Sequence, residues 1–140
     1  MSNWLRGLTP WAVALLRVVL GVAMVYHGWP KIAPAHGLHG DLLSGVQHYN
    51  GFVARLGLPG WLGYVSAATE FFGGGLLLLG LLTRFAAFMV AGNMLVALFA
   101  VDLHHGYAGS DYVLALVAMA VLLITTGGGA ASVDQRVGLS

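Results

Sequence analysis

The chain has 140 residues, of which 59% are hydrophobic and 8% charged, with a mean hydropathy of +0.84. Soluble domains average about 25% charged residues, so a water-soluble globule and a disordered chain are both excluded. Six Lys and Arg against five Asp and Glu leave a net charge of +1, too little field for nucleic acid. With no cysteine, the chain carries no disulfide, thiol relay, thiolate metal site or covalent c-type haem.

Four apolar runs approach the roughly 20 residues that cross a bilayer as a helix. They lie at about Trp11–Gly28, Trp61–Leu82, Phe85–Leu103 and Tyr112–Thr126. The strict alternation of a barrel strand is absent. The expected fold is therefore all-α: one domain over residues 1–140, a transmembrane four-helix bundle. Thr9-Pro10 is expected to open the first span, Pro59-Gly60 precedes the second, and Thr83-Arg84 forms a tight hairpin before the third. Gly109-Ser110-Asp111 suits a cap for the fourth, which Gly127-Gly128-Gly129 ends. The first run is long for a cleaved signal, and Ala33-Pro34-Ala35 lies too far beyond it.

Between spans one and two, Leu42, Val46, Tyr49, Val53 and Leu56 recur at helical spacing, predicting an amphipathic helix on the membrane surface. Arg6, Arg84 and Arg136 fall on one side of the bundle against Lys31 and Arg55 on the other, so both termini are expected in the cytoplasm.

Two charges fall inside apolar runs, Arg17 in span one and Glu70 in span two. Measured from Trp61 and Trp29, Glu70 lies about 13 Å and Arg17 about 18 Å below the outer boundary. A charge at the bilayer centre costs about 2.5–3.5 kcal/mol, so an Arg17–Glu70 ion pair is expected inside the bundle. Such a pair either locks two spans together or lines a polar site where a ligand or proton is handled. Small residues mark the contacting stripes: Gly63, Ala67, Glu70 and Gly74 on span two, and Arg17, Gly21, Met24 and Gly28 on span one. Gly73-Gly74-Gly75 admits a neighbouring backbone or bends the helix near Glu70. Asn93 is expected to hydrogen-bond between helices.

All six histidines fall on the outer side, and His27, His104 and His105 are the candidate metal ligands there. Interfacial hydrogen bonding, proton handling and quinone-headgroup contact are the other roles open to them.

In order and spacing these motifs resemble the DoxX family of small four-helix membrane proteins. The resemblance rests on LLRVVLGVAMVYHGWPKI with Arg17, Gly21, His27-Gly28 and Lys31, then Phe52 and Leu56-Gly57-Leu58-Pro59. It continues through ATEFFGGGLLLLGLLTR with Glu70, Gly73, Gly74, Gly80 and Arg84, and through His104 and the acidic residue opening span four. That residue is Asp111 here, where Glu is usual. The resemblance implies a subunit of a terminal quinol oxidase, a thiosulfate:quinone oxidoreductase or another membrane redox complex with a soluble partner. Thiol chemistry found among wider relatives does not transfer to a chain without cysteine.

The expected function is a redox-linked, quinone-associated membrane subunit of the inner membrane, a part of an oxidoreductase rather than a complete one. Glu70 and Arg17 are its expected catalytic pair, and His27, Asn93, His104 and Asp111 its ligand-binding residues. Quinone is the first cofactor candidate, with haem or copper behind it. Lipid, a protein partner and a second copy of the chain are the expected partners. A non-catalytic anchor or assembly module, and an outer-face metal-handling or transport protein, are the alternatives.

Overall fold

The computed structural model describes residues 3–33, 44–101 and 107–139. No strand occurs among them. Helix α1 runs Asn3–Ile32, α2 Ser44–Arg55 and α3 Leu62–Ala68. A single π-helical turn at Thr69–Gly73 joins α3 to α4, Gly74–Leu79. Helix α5 runs Thr83–Ala100, α6 Tyr107–Thr126 and the short α7 Val133–Val137.

The stretches Arg6–Ile32, Leu62–Leu79 and Thr83–Ala100 are long and apolar enough to cross a membrane, and Ser110–Thr126 is a shorter apolar helix. The first is far longer than its apolar run suggests. It begins before Thr9-Pro10, which sits inside the helix instead of opening it. A proline removes one backbone donor; here the Pro10 carbonyl accepts from Ala130 N at 2.8 Å, which ties the start of α1 to the C-terminal segment. Gly109-Ser110-Asp111 likewise lies within α6 and not before it. The hairpin between α4 and α5 is made by left-handed Gly80 (φ 66°) and Leu82 (φ 49°), with Thr83 already helical.

The core draws on every span: Leu20 and Met24 from α1, Leu77 from α4, Val90 from α5 and Leu123 from α6 have no exposed surface. Large apolar and aromatic side chains face outward, among them Trp11, Tyr26, Trp29, Trp61, Phe72, Phe88 and Phe99. In water these would be a liability; in lipid they are the required solvent-facing surface.

Helix α2 packs on α3, where Asn50 closes over Gly63, and buries Val46 and Val53 while His48 faces out. Val46, Tyr49 and Val53 of the stripe that the loop's periodicity predicts lie on this helix, Leu56 follows its end, and Leu42 lies outside the described residues.

Both small-residue stripes are buried, and they set the register between α1 and span two. A side chain added at Gly74 would lie 2.8 Å from Met24 Cβ and 3.0 Å from the Gly21 carbonyl; one at Gly28 would lie 2.7 Å from Phe71 N. Gly28 therefore stands level with Glu70, Gly21 with Gly74, and Arg17 with Gly80.

Gly74→Ala is expected to lower stability by about 1–3 kcal/mol, the usual effect of overpacking. Gly75→Ala meets nothing within 4 Å and is expected to be neutral or mildly stabilising. Unfolding of the two variants in the same detergent, followed by circular dichroism, separates them.

Candidate functional site

The register separates the two charges that the sequence leads one to pair. Arg17 and Gly28 are eleven residues apart on α1, or about 16 Å along the axis, and Glu70 lies at the Gly28 level. The expected Arg17–Glu70 ion pair does not form; each side chain finds its partners at its own end of the bundle. Trp29 and Trp61 do not mark one depth: Trp29 packs on Phe71, level with Glu70, and α1 continues past it to Ile32, whereas span two begins at Leu62 beside Trp61.

Glu70 is 3% exposed and sits in the π turn. Lys31, on the last turn of α1, donates to Glu70 Oε1 at 2.7 Å. Asn93 Nδ2 donates to the same oxygen at 3.0 Å from α5, and Ser66 Oγ does so at 3.4 Å from α3. Tyr49 reaches in from α2: its hydroxyl accepts from Lys31 Nζ at 3.2 Å and hydrogen-bonds Ser66 Oγ at 3.2 Å. Lys31 Nζ also lies 4.2 Å from the centre of the Tyr49 ring, a cation–π contact. Glu70 Oε2 is buried and has no hydrogen-bond partner. The π turn suits this place, since single π turns inside α-helices recur at functional sites.

Beside this network lies a cavity of about 260 Å³ between α2, α3 and the part of α5 from Phe88 onwards. Phe52, Val53, Leu56, Phe88, Met89 and Val96 supply most of its apolar wall. Tyr49, Ser66, Thr69 and Asn93 supply its polar groups, and three of these four belong to the Glu70 network. The arrangement can seat an apolar body with one polar end, and it can pass hydrogen bonds from that end to a buried carboxylate.

Arg17 is also 3% exposed, at the other end. Its Nη1 donates to the Gly128 carbonyl at 3.0 Å and its Nη2 reaches the Ala131 carbonyl at 3.5 Å. Asp134, on α7, accepts from Leu82 N at 2.7 Å and Thr83 N at 2.8 Å, while its own N–H donates to the Gly80 carbonyl at 2.9 Å. Burial alone would raise the Asp134 pKa, but the hydrogen bonds from Thr83 and Leu82 and the nearby Arg17 charge outweigh it and hold the carboxyl below its ordinary value. Arg17 thus fastens the C-terminal segment over the hairpin.

The remaining sequence candidates fall apart from the Glu70 network. His27 points outward, and its Nε2 shares a hydrogen bond of 3.1 Å with the exposed Tyr112 hydroxyl. Asp111 is exposed and accepts from Tyr112 N at 2.7 Å. Neither is brought to Glu70. His104 and His105 lie outside the described residues, and no group of three metal-ligating side chains occurs among the described ones. Asn93, by contrast, makes the interhelical hydrogen bond expected of it.

Lys31, Tyr49 and Ser66 are the members of the Glu70 network that sequence reasoning does not single out as site residues. In the sequence Lys31 counts as a charge on one side of the bundle and as part of the family resemblance, and Tyr49 as part of an apolar stripe.

A DoxX family model matches residues 12–103. The chain belongs to the DoxX family. It is also 32% identical over 112 residues to a Bacillus subtilis (strain 168) protein named "Putative oxidoreductase CatD", covering 78% of this chain and 75% of that one. No solved structure matches. The matched span contains Arg17 and all five residues of the Glu70 network, and it ends before α6 and α7 begin.

The Asp134 linkage has a definite sign. Because its folded pKa is depressed, its contribution is fully present above the ordinary carboxylate range, about pH 4, and disappears as pH falls through the folded value. Asp134→Asn is expected to cost about 1.5–3 kcal/mol at pH 7, the range for hydrogen bonds to a charged group. The gap between variant and parent should narrow by pH 3; thermal unfolding at the two pH values checks both points.

Proposed function

We propose that this DoxX-family membrane protein is the ligand-binding membrane subunit of a quinone-linked redox complex in the inner membrane. The reading is carried by the cavity between α2, α3 and α5, whose polar end adjoins a buried carboxylate–ammonium pair. An apolar chamber with a few convergent polar groups and an ionisable pair at depth is the usual form of a site for a small amphipathic ligand. The oxidoreductase name of the Bacillus relative supports a redox setting.

In this reading a quinone ring lies against Phe52, Phe88 and Met89, and its oxygen meets Ser66, Asn93 or Tyr49. Glu70 and Lys31 hold opposite charges behind those groups and exchange the proton that accompanies a change in the ligand's redox state. Electrons come from or go to a partner protein, because this chain contains no nucleotide-binding loop and no redox-active cysteine.

Purified protein in detergent is expected to bind a short-chain ubiquinone or menaquinone analogue saturably, with a Kd of micromolar order, about −8 kcal/mol. Val53→Trp should abolish binding by filling the cavity, and Glu70→Gln should weaken it while the fold persists. Absence of saturable binding by isothermal calorimetry, with the parent fully folded, would turn the reading towards a non-catalytic anchor.

A further inference from the structure

The Glu70 network and the Arg17 network differ in how they meet water. On the α2 side, hydrogen bonds run from Asn93 and Ser66 to Glu70 and on to Lys31, whose side chain is 20% exposed. Tyr49 joins the same chain from α2. Glu70 Oε2 has no partner, so a proton can add there without displacing a hydrogen bond. On the α1–α6 flank His27 and Tyr112 bond to each other at the surface, with the exposed Asp111 beside them.

Towards the other face the polar chain stops. Leu20, Met24, Leu77, Val90 and Leu123, one or more from each span, form a layer with no exposed surface between Glu70 and Arg17. Beyond that layer stands the Arg17 guanidinium, fixed on the Gly128 and Ala131 carbonyls. A proton moving that way would cross hydrocarbon and then approach a fixed cation, and an arginine in such a place acts as an electrostatic barrier to cations. The segment from Gly127 to α7 covers the same end, held by Asp134 on Leu82 and Thr83.

We infer that the Lys31–Glu70 site exchanges protons and small solutes with one aqueous face only, the face bearing α2. Given the ligand reading of the preceding subsection, a proton released by the bound ligand is discharged to that face, and the subunit is vectorial.

The test uses the absence of cysteine from the parent chain. Ser66→Cys places a near-isosteric thiol one helical turn from Glu70. Arg55→Cys on α2 and Arg84→Cys at the hairpin, both at exposed positions, report the two faces. Each variant is treated with a membrane-impermeant methanethiosulfonate in right-side-out and in inverted vesicles. Ser66→Cys is expected to react from the same face as Arg55→Cys, at least about tenfold faster than from the Arg84→Cys face. Equal rates from both faces, or a faster rate from the hairpin face, would overturn the inference. So would a folded Ser66→Cys protein that reacts from neither face but reacts once denatured. Asn93→Cys gives the same comparison if Ser66→Cys fails to fold. The labelling reads access alone, so it stands or falls independently of quinone binding.

Discussion

A carboxylate cannot stay ionised inside a helical bundle in lipid unless a positive charge and hydrogen-bond donors meet it there. Glu70 imposes that condition here, and much of the half of the molecule that bears α2 is arranged around it. α1 extends to Ile32, and Lys31 lies on its final turn. α2 packs at that end, and its Tyr49 shares the Lys31 ammonium. α5 contributes Asn93 from within the membrane. Three separate helices thus converge on the π turn that presents the carboxylate, and the cavity beside it is a consequence of that convergence.

The second buried charge is handled by different means. Arg17 meets backbone carbonyls of a glycine-rich turn and the field of Asp134, not a direct ion-pair partner. The guanidinium suits this, since its planar fork can serve two carbonyls at once. The two devices leave the centre of the bundle apolar. That division gives the protein one end built for exchange and one end built for closure.

The helical class, the amphipathic α2 and the small-residue stripes were legible in the sequence because they rest on composition and periodicity, which act locally. The partner of Glu70 was not, because it depends on helix register. Interfacial tryptophans were a poor ruler for depth: α1 runs past Trp29, and Trp61 precedes the helical part of span two. The stripes themselves held better information, since running Gly21 and Gly28 antiparallel to Gly74 and Glu70 sets Lys31, not Arg17, beside the carboxylate. At the C-terminus, Ser132 followed three residues later by Gln135 is a helix-start pattern. The structure uses it, with Ser132 Oγ accepting from Gln135 N at 3.3 Å. The placement of Asp134 on the hairpin, by contrast, is a long-range contact that no local pattern announces.

The central claim is that Lys31 and Glu70 are energetically one unit. A double-mutant cycle of Lys31→Met and Glu70→Gln, read by reversible unfolding in detergent, tests it most directly. Lys31→Met alone should be destabilising by about 3–5 kcal/mol, as it strands a buried charge. The double variant should be less destabilised than the sum of the two single variants by about 1–3 kcal/mol, the coupling energy. Additive effects, with coupling near zero, would mean that the two charges act separately and would contradict the account.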